Sequence, residues 1–440
     1  MQTSLETLGQ LERRLKMSVP VAKIESEINQ RLARLAKDAK LPGFRPGKVP
    51  MRMIAQQYGP KVRSDVISDA VQARFADALR EQNLRIAGFP RIEPSAGAGS
   101  EELEFSAVFE VYPEVKVGDL TDVTIERPIA EVGDDEVTNT IEMLRRQRTH
   151  FHWVERAAVA GDRVVVDFTG RIDGVEFAGG QANDFGIVIG EGRMLPEFET
   201  AVTGMSAGET KSFSLTFPAD YHGAEVAGRH ADFVLTVKRV EAPHVPEVDT
   251  EFAKAFGIAS GSIDELRSEI AANLKLELKR KIDTKLKEQI FTALRDGSDF
   301  ALPKALVEAE TESTMQRAMN DLRERGMKAE DMKLTPEMFR PAAESRVKLG
   351  LVIAELVRTQ NLLAKPEQVK TLVQEAAQTY EQPDAVIRWH YEKPERLSEF
   401  EALAVEANVV AWALGRARVV DKPTPFAELM GTAQTPAVLT

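Results

Sequence analysis

The spacing of apolar positions changes its period along the chain. Leu103, Phe105, Ala107, Phe109 and Val111 alternate with more polar neighbours, a period of two that predicts a strand. Upstream, Ile24, Ile28, Leu32 and Leu35 recur at helical spacing, with basic residues over the other face. That helix stops at Leu41-Pro42-Gly43, and a second is expected near Pro50, because proline suits a first helical turn. Residues 1–112 therefore read as a mixed region of strands and helices.

Residues 113–149 form a connection, extended over Thr124–Pro128 and then helical over Asp134–Arg148, with Val137, Ile141 and Leu144 on one stripe that needs a partner surface. The period returns to two in residues 150–244. Val164, Val166 and Phe168 alternate there, as do Phe213, Leu215 and Phe217, and again Phe233, Leu235 and Val237. Asp173-Gly174 marks a tight hairpin. Pro196 to Val202 is placed for one helix, so this region predicts a small antiparallel sheet curled on a helix. Residues 245–430 are helical almost throughout. Ser262 and Glu265 have capping-box spacing before the stripe Ile263, Leu266, Ile270 and Leu274. Further helices are expected over Pro303–Arg325, Pro336–Gln360, Pro366–Tyr380 and Pro394–Val419, and residues 431–440 are expected to be a loose tail. The fold class is thus α+β and multidomain: an N-terminal α+β domain, a linker, an antiparallel β domain with one helix, and an all-α C-terminal domain.

Composition narrows the chemistry. A chain of 440 residues suggests two to four domains, and its 43% hydrophobic and 29% charged content is that of a soluble globular protein. There is no cysteine, which excludes disulfides and thiolate metal sites and fits a reducing cytosol. The N-terminus has no basic stretch followed by an apolar run, and no segment approaches a membrane span, so a cytoplasmic location is expected. Net charge is −12, yet residues 31–63 hold nine cationic side chains against Asp38 alone. That asymmetry points to a local anionic partner such as nucleic acid, or to a solvated helix face.

Gly43-Phe44-Arg45-Pro46-Gly47-Lys48-Val49-Pro50 is the most unusual stretch. Its two glycines and two prolines make it a loop, and a phenylalanine between cations in a loop is a recognition tip. It is not a phosphate-binding loop: three residues rather than four separate the glycines, and Val49 follows Lys48. The loop resembles the ribosome-binding signature of the trigger factor family, bacterial chaperones of the ribosomal exit tunnel. The resemblance spans nearly the whole chain, since signature loop, connection, β-rich middle and helical region come in that order. It implies that Phe44 and Arg45 contact a large-subunit protein and ribosomal RNA near the exit tunnel, with Gly43, Gly47 and Lys48 completing the motif. Pro46 stands where the family often has lysine, which removes one charge.

The middle region resembles the FKBP-like prolyl isomerases. The matching residues are Val165 to Gly170, Gly174 to Phe177, Phe185, Gly192 to Phe198, and Asp220-Tyr221. Alternating aromatics alone fit a core as readily as a pocket, and the order of motifs favours a pocket. The resemblance implies a proline site lined by Phe168, Phe177, Phe185, Met194, Leu195, Phe198, Tyr221 and Phe233. Such pockets often carry an acidic residue after the Phe177 position; Ala178 stands there.

No cofactor and no metal are expected. Gly190-Glu191-Gly192 lacks the third glycine of a dinucleotide fingerprint, and Asp134-Asp135-Glu136 suits a helix start. His150 and His152 are expected on opposite sides of an extended segment. In the helical region Met315, Met319, Met327, Met332 and Met338 cluster, as core fillers or as an adaptable apolar surface. The resemblance implies that this region forms the body and arms of a cradle. It implies an ATP-independent chaperone and peptidyl-prolyl cis–trans isomerase that serves protein folding and protein export. Its partners would be the large ribosomal subunit, nascent and unfolded polypeptides and, off the ribosome, a second copy, with no membrane. A plain isomerase with recruiting domains and a nucleic-acid-binding protein using residues 31–63 are the competing readings.

Overall fold

The computed structural model describes residues 4–39, 44, 49–95, 101–219, 221, 223, 226–327, 334–378, 380 and 382–431. The first elements are β1 (Ser4–Thr7), β2 (Glu12–Pro20), α1 (Val21–Asp38), α2 (Met51–Glu81), β3 (Ile86–Pro94), β4 (Glu102–Val111) and β5 (Thr124–Ile129). Next come α3 (Asp134–Gln147), β6 (His150–Trp153), β7 (Arg163–Ile172), β8 (Val175–Val188), α4 (Pro196–Val202), β9 (Thr210–Thr216) and β10 (His230–His244). The rest is α5 (Thr250–Ala255), α6 (Ile263–Asp296), α7 (Lys304–Glu324), α8 (Pro336–Gln360), α9 (Pro366–Ala377), α10 (Pro383–Tyr391), α11 (Ser398–Leu414), β11 (Arg418–Pro423) and α12 (Phe426–Met430). Two compact units result, residues 1–127 with 283–422, and residues 128–282 with 423–440. Their limits cut β5, α6 and β11, whereas the apolar periods change at 112, 149 and 244.

In the first unit β1, β2, β4 and β3 form an antiparallel sheet in that order. The alternation read in the sequence buries Phe105, Ala107 and Phe109 of β4 beside Leu15, Met17 and Val19 of β2. α1 covers them with Ile24, Ile28 and Leu32, and α2 adds Val66, Val71 and Phe75, whose ring meets Phe109 edge-on at 5.4 Å. Leu35 is turned outward instead, because the buried seam continues four residues on from Leu32 to Ala36. Pro50 precedes α2 and Pro303 precedes α7, while Pro336, Pro366 and Pro383 are first residues of α8, α9 and α10.

The C-terminal reading needs correction in three places. α9 stops at Ala377, short of Tyr380. The helix expected over Pro394–Val419 is a 3-10 turn at Pro394–Arg396, then α11, then the strand β11. β11 pairs with β5, so extended chain at 418–423 is stabilised by residues nearly 300 positions away, out of reach of any local period. α10 also forms where no helix was expected.

In the second unit β6, β10, β7 and β8 form an antiparallel sheet, and β9 pairs with β10. β7 and β8 are joined by Asp173-Gly174, both with positive φ (53° and 80°), the two-residue turn that twisted hairpins favour. α4 lays Phe198 and Val202 against Val164, Val166, Leu235 and Val237. Val137 and Ile141 of α3 find their partner surface in Phe252, Ile258, Leu266 and Ile270. Ser262 caps α6 as its spacing suggests, accepting from the Glu265 N–H at 3.3 Å. The reciprocal half of the box is absent, because the Glu265 carboxylate accepts from the Ser260 hydroxyl instead. His150 and His152 share one face of β6 and do not face opposite ways: residues two apart in a strand point to the same side.

Candidate active site

Phe233 is the centre of the second unit's aromatic cluster. Its ring lies 5.7 Å from Phe213 in a near-parallel stack (16°) and about edge-on to Phe198 at 5.9 Å and Phe177 at 6.2 Å. Phe168 stands 5.3 Å from Phe198 and 6.1 Å from Phe233. This packing depends on a glycine. Gly170 of β7 is the cross-strand partner of Phe233, and a Cβ at Gly170 would come within 2.5 Å of the Phe233 ring. The ring therefore lies flat over bare backbone, which no other residue type permits.

The cluster leaves a cavity of about 520 Å³ open on one side. Phe168, Phe177, Phe198 and Phe233 form much of its wall. Met194 and Leu195, just before α4, and Tyr221 complete it. Phe185 does not line the cavity; it is 41% exposed and meets Phe168 edge-on at 5.8 Å. Phe217 is a wall residue that was not among those expected in the site. It stands at 90° to Phe177, 5.9 Å away, and 4.9 Å from Tyr221. Its signal was the alternation Phe213, Leu215, Phe217, continued one step past the end of β9. Arg193 is on the rim, with its guanidinium 3.1 Å from Glu191. Asp220 and the Ala178 side chain lie outside the described residues.

Beside the cavity a charged group holds an irregular stretch of β8. The register of β7 and β8 shifts between Val166 and Phe168, and Asp184 has φ 52°. The Asp184 N–H donates to Asp167 Oδ1 at 2.7 Å, and Lys238 Nζ donates to Asp184 Oδ1 at 2.6 Å. The Lys238 hydrogen bond and charge hold the Asp184 carboxyl below its ordinary value.

Among the described lining residues only Arg193 and Tyr221 are ionisable, and no nucleophile is paired with a base. Such a site suits a reaction needing neither. Rotation about an X–Pro bond must overcome amide resonance worth about 18–20 kcal/mol, and the twisted form separates less charge than the planar one. A dry aromatic wall that binds the twisted form better lowers that barrier. An antiparallel sheet on one short helix with this cavity defines a prolyl isomerase of the FKBP class. Family comparison agrees: residues 154–239 match the FKBP-type peptidyl-prolyl cis-trans isomerase family, residues 1–144 match bacterial trigger factor protein, and residues 262–415 match its C-terminus.

The trigger factor of Aromatoleum aromaticum is 53% identical over 98% of this chain and 100% of its own length. Those of Dechloromonas aromatica and Azoarcus sp. are 50% and 51% identical over 99% and 98% of this chain and the whole of their own. The chain belongs to the trigger factor family. It is a chaperone with peptidyl-prolyl cis–trans isomerase activity, and ribosome docking fits its N-terminal match.

One ion pair at the base of β7 supports this active site. Asp162 is buried and accepts from Arg156 at 2.5 and 2.8 Å and from the Val159 N–H at 2.9 Å. Burial pushes its carboxyl up, but the Arg156 hydrogen bond, the Val159 N–H and the Arg156 charge outweigh burial and hold it below the ordinary value. With the folded value depressed, the pair's contribution is complete at neutral pH and drains away as pH falls below about 4. Arg156→Ala, which strands the buried carboxylate, is expected to cost about 1–3 kcal/mol. The urea midpoint of isomerase activity should show this at pH 7, and the gap to the parent should hold down to about pH 4 and narrow below it. A gap that widens on acidification would refute the assignment.

Proposed function

We propose that the chain docks at the exit tunnel of the large ribosomal subunit through the tip at Gly43, Phe44, Arg45, Gly47 and Lys48, contacting ribosomal protein and RNA. The exposed Phe44 ring carries this reading: a phenylalanine 38% exposed in a loop supports no core and is available to a partner. Gly43, Arg45, Gly47 and Lys48 lie outside the described residues. Arg34, Lys37, Arg52 and Lys61 of α1 and α2, the helices on either side of the tip in sequence, are exposed and carry positive charge. The patch is weaker than its sequence count, because acids outside the window engage two of its members. Arg31 bonds Asp69 at 2.8 Å and Glu27 at 3.1 Å, and Arg63 bonds Glu25 at 2.8 Å. That favours docking on a mixed protein and RNA surface over a nucleic-acid binder.

In this reading the aromatic cavity takes the proline ring, with Phe168, Phe177, Met194, Leu195, Phe198, Tyr221 and Phe233 as its surface and Phe185 behind Phe168. Tyr221 at the wall donates to a substrate carbonyl. Isomerisation of short X–Pro peptides should be nearly flat from about pH 6 to 8, since no general acid or base acts. Tyr221→Ala should lower kcat/KM about tenfold, the worth of one hydrogen bond at a dry site. A bell-shaped profile, or a fully active variant, would count against the mechanism.

The helical region binds non-native chains. Met338 is 64% exposed, Met327 and Leu363 are exposed, and Met315 lines a groove between α7 and α8. Met319 is half-buried, and Met332 lies outside the described residues. Unpartnered apolar side chains of this kind suit weak, reversible contacts with unfolded polypeptides. The same surfaces are where a second copy would pair off the ribosome, which sedimentation velocity would detect. The roles divide the chain as 1–112 for docking, 113–149 as linker, 150–244 for isomerisation, 245–430 for clients and 431–440 as tail, in a cytoplasmic protein that serves folding and export. Among the described residues no helix is long and apolar enough to cross a membrane. Light scattering of an aggregating client tests the whole reading. The chain should suppress aggregation without ATP, and release of the client on adding ATP would overturn it.

A further inference from the structure

β6 leads the chain into the second unit's sheet and β10 leads it out, and the two are hydrogen-bonded neighbours. Their register sets His244 directly opposite His150, and Ala242 opposite His152. His150 and His152 are two residues apart, as are Ala242 and His244, so all four side chains belong to one face. That face is an extension of the core: Val240, two residues before Ala242, is buried, and Val154, two after His152, packs against the core. The imidazoles stand where the core face runs out, and all three are exposed. The opposite face carries Phe151, Glu241 and Pro243. There Arg163 is held 4.7 Å over the Phe151 ring and 2.6 Å from Glu241, which keeps its charge on the side away from the histidines.

We propose that His150, His152 and His244 form a site for one divalent transition cation of the Zn²⁺, Ni²⁺ or Cu²⁺ type, which clamps the entry strand of the isomerase segment to its exit strand. Imidazole nitrogen is the donor these ions favour, and metal–nitrogen bonds of about 2.0–2.1 Å require the rings to converge. The backbone permits it. Directly opposed residues hold their Cβ atoms about 4.5–5.5 Å apart, and diagonal ones about 7–8 Å, within reach of a long side chain. His152 and His244 are such a diagonal pair, and Ala242 leaves the lane between them clear. As the side chains stand, no three potential ligands among the described residues converge. Rotation about χ1 and χ2 of exposed rings closes the site on the ion, and water completes the coordination. The loss of rotamer freedom sets the affinity in the micromolar range.

Titration calorimetry on the untagged, metal-free full chain with zinc chloride and nickel chloride tests this. One equivalent should bind with micromolar Kd, and His150→Gln and His244→Gln should each weaken it about tenfold or more, because a third of the protein's donors is lost. His230→Gln should change nothing, since His230 lies at the other end of β10 beside Thr216. Magnesium should not compete, because it takes oxygen donors. Metal should also slow hydrogen exchange at the β6 amides in the parent and not in the double variant His150→Gln/His244→Gln. All three histidines are exposed, so circular dichroism should match the parent throughout. No saturable uptake below about 1 mM, or uptake undiminished in the double variant, would overturn the proposal.

Discussion

Phe233→Ala is expected to destabilise the isomerase segment by about 3–5 kcal/mol and to bring its activity on X–Pro peptides close to the uncatalysed rate. The ring contacts five other aromatic rings, at centroid distances from 5.7 to 6.5 Å. Removing it deletes buried area and leaves a hole that cannot easily refill. Gly170 opposite has no side chain to move in, and Phe198 is pinned between Phe168 and Phe213. The same hole joins the cavity, so water would enter where the twisted amide needs a dry wall. Phe233→Leu keeps most of the volume and should cost about half as much while retaining part of the activity. Because the chain has two compact units, total ellipticity would mix their transitions; the urea midpoint of peptide isomerisation isolates the one that matters. If Phe233→Ala keeps that midpoint and parental turnover, the ring is neither the keystone of the core nor part of the site.

Phe44→Ala combined with Arg45→Ala is expected to lower ribosome affinity about 100-fold or more, enough to abolish co-sedimentation at physiological salt. Anchors of this type are worth about 2 kcal/mol or more each when an exposed aromatic and an adjacent cation both become buried on docking. Neither change should touch the fold, because Phe44 supports no core: it is exposed and outside the buried cluster of the first unit. Isomerase turnover on a short peptide should therefore equal the parent's, which separates a lost contact from a damaged protein. Parental binding should weaken with rising salt through the exposed lysines and arginines of α1 and α2. Unchanged co-sedimentation of the double variant would remove the tip from the docking surface.

The legible part of this protein was local. Alternation at 103–111, 164–168 and 233–237 announced β4, β7 and β10, because a strand with one buried face repeats every two residues whatever it packs against. Pro336 and Gln360 bounded α8 to the residue, since proline opens a helix by its own φ. Asp173-Gly174 chose its turn through two positive φ values that few other pairs tolerate. Seven of the eight residues that the resemblance to FKBP-like isomerases implied for the proline site line the cavity, a placement that motif order, not local period, made legible.

What escaped depended on partners distant in sequence. β11 reads as the end of a helix, and becomes a strand because β5 offers it hydrogen bonds. Phe217 and Phe185 carry the same side chain in similar surroundings, yet one is wall and the other stands behind it, since ring orientation follows from cross-strand packing. Arg31 and Arg63 count as free charge in a window of 33 residues until α2 brings Asp69, and α1 brings Glu25, alongside them. By itself the sequence determined the periods, turns and caps, which are properties of a few adjacent residues. Only the tertiary structure decided which faces met: whether a ring closed a cavity, a charge was answered, or three histidines came to share one side of a sheet. Those outcomes turn on distances of a few ångströms between segments that the chain keeps tens or hundreds of residues apart.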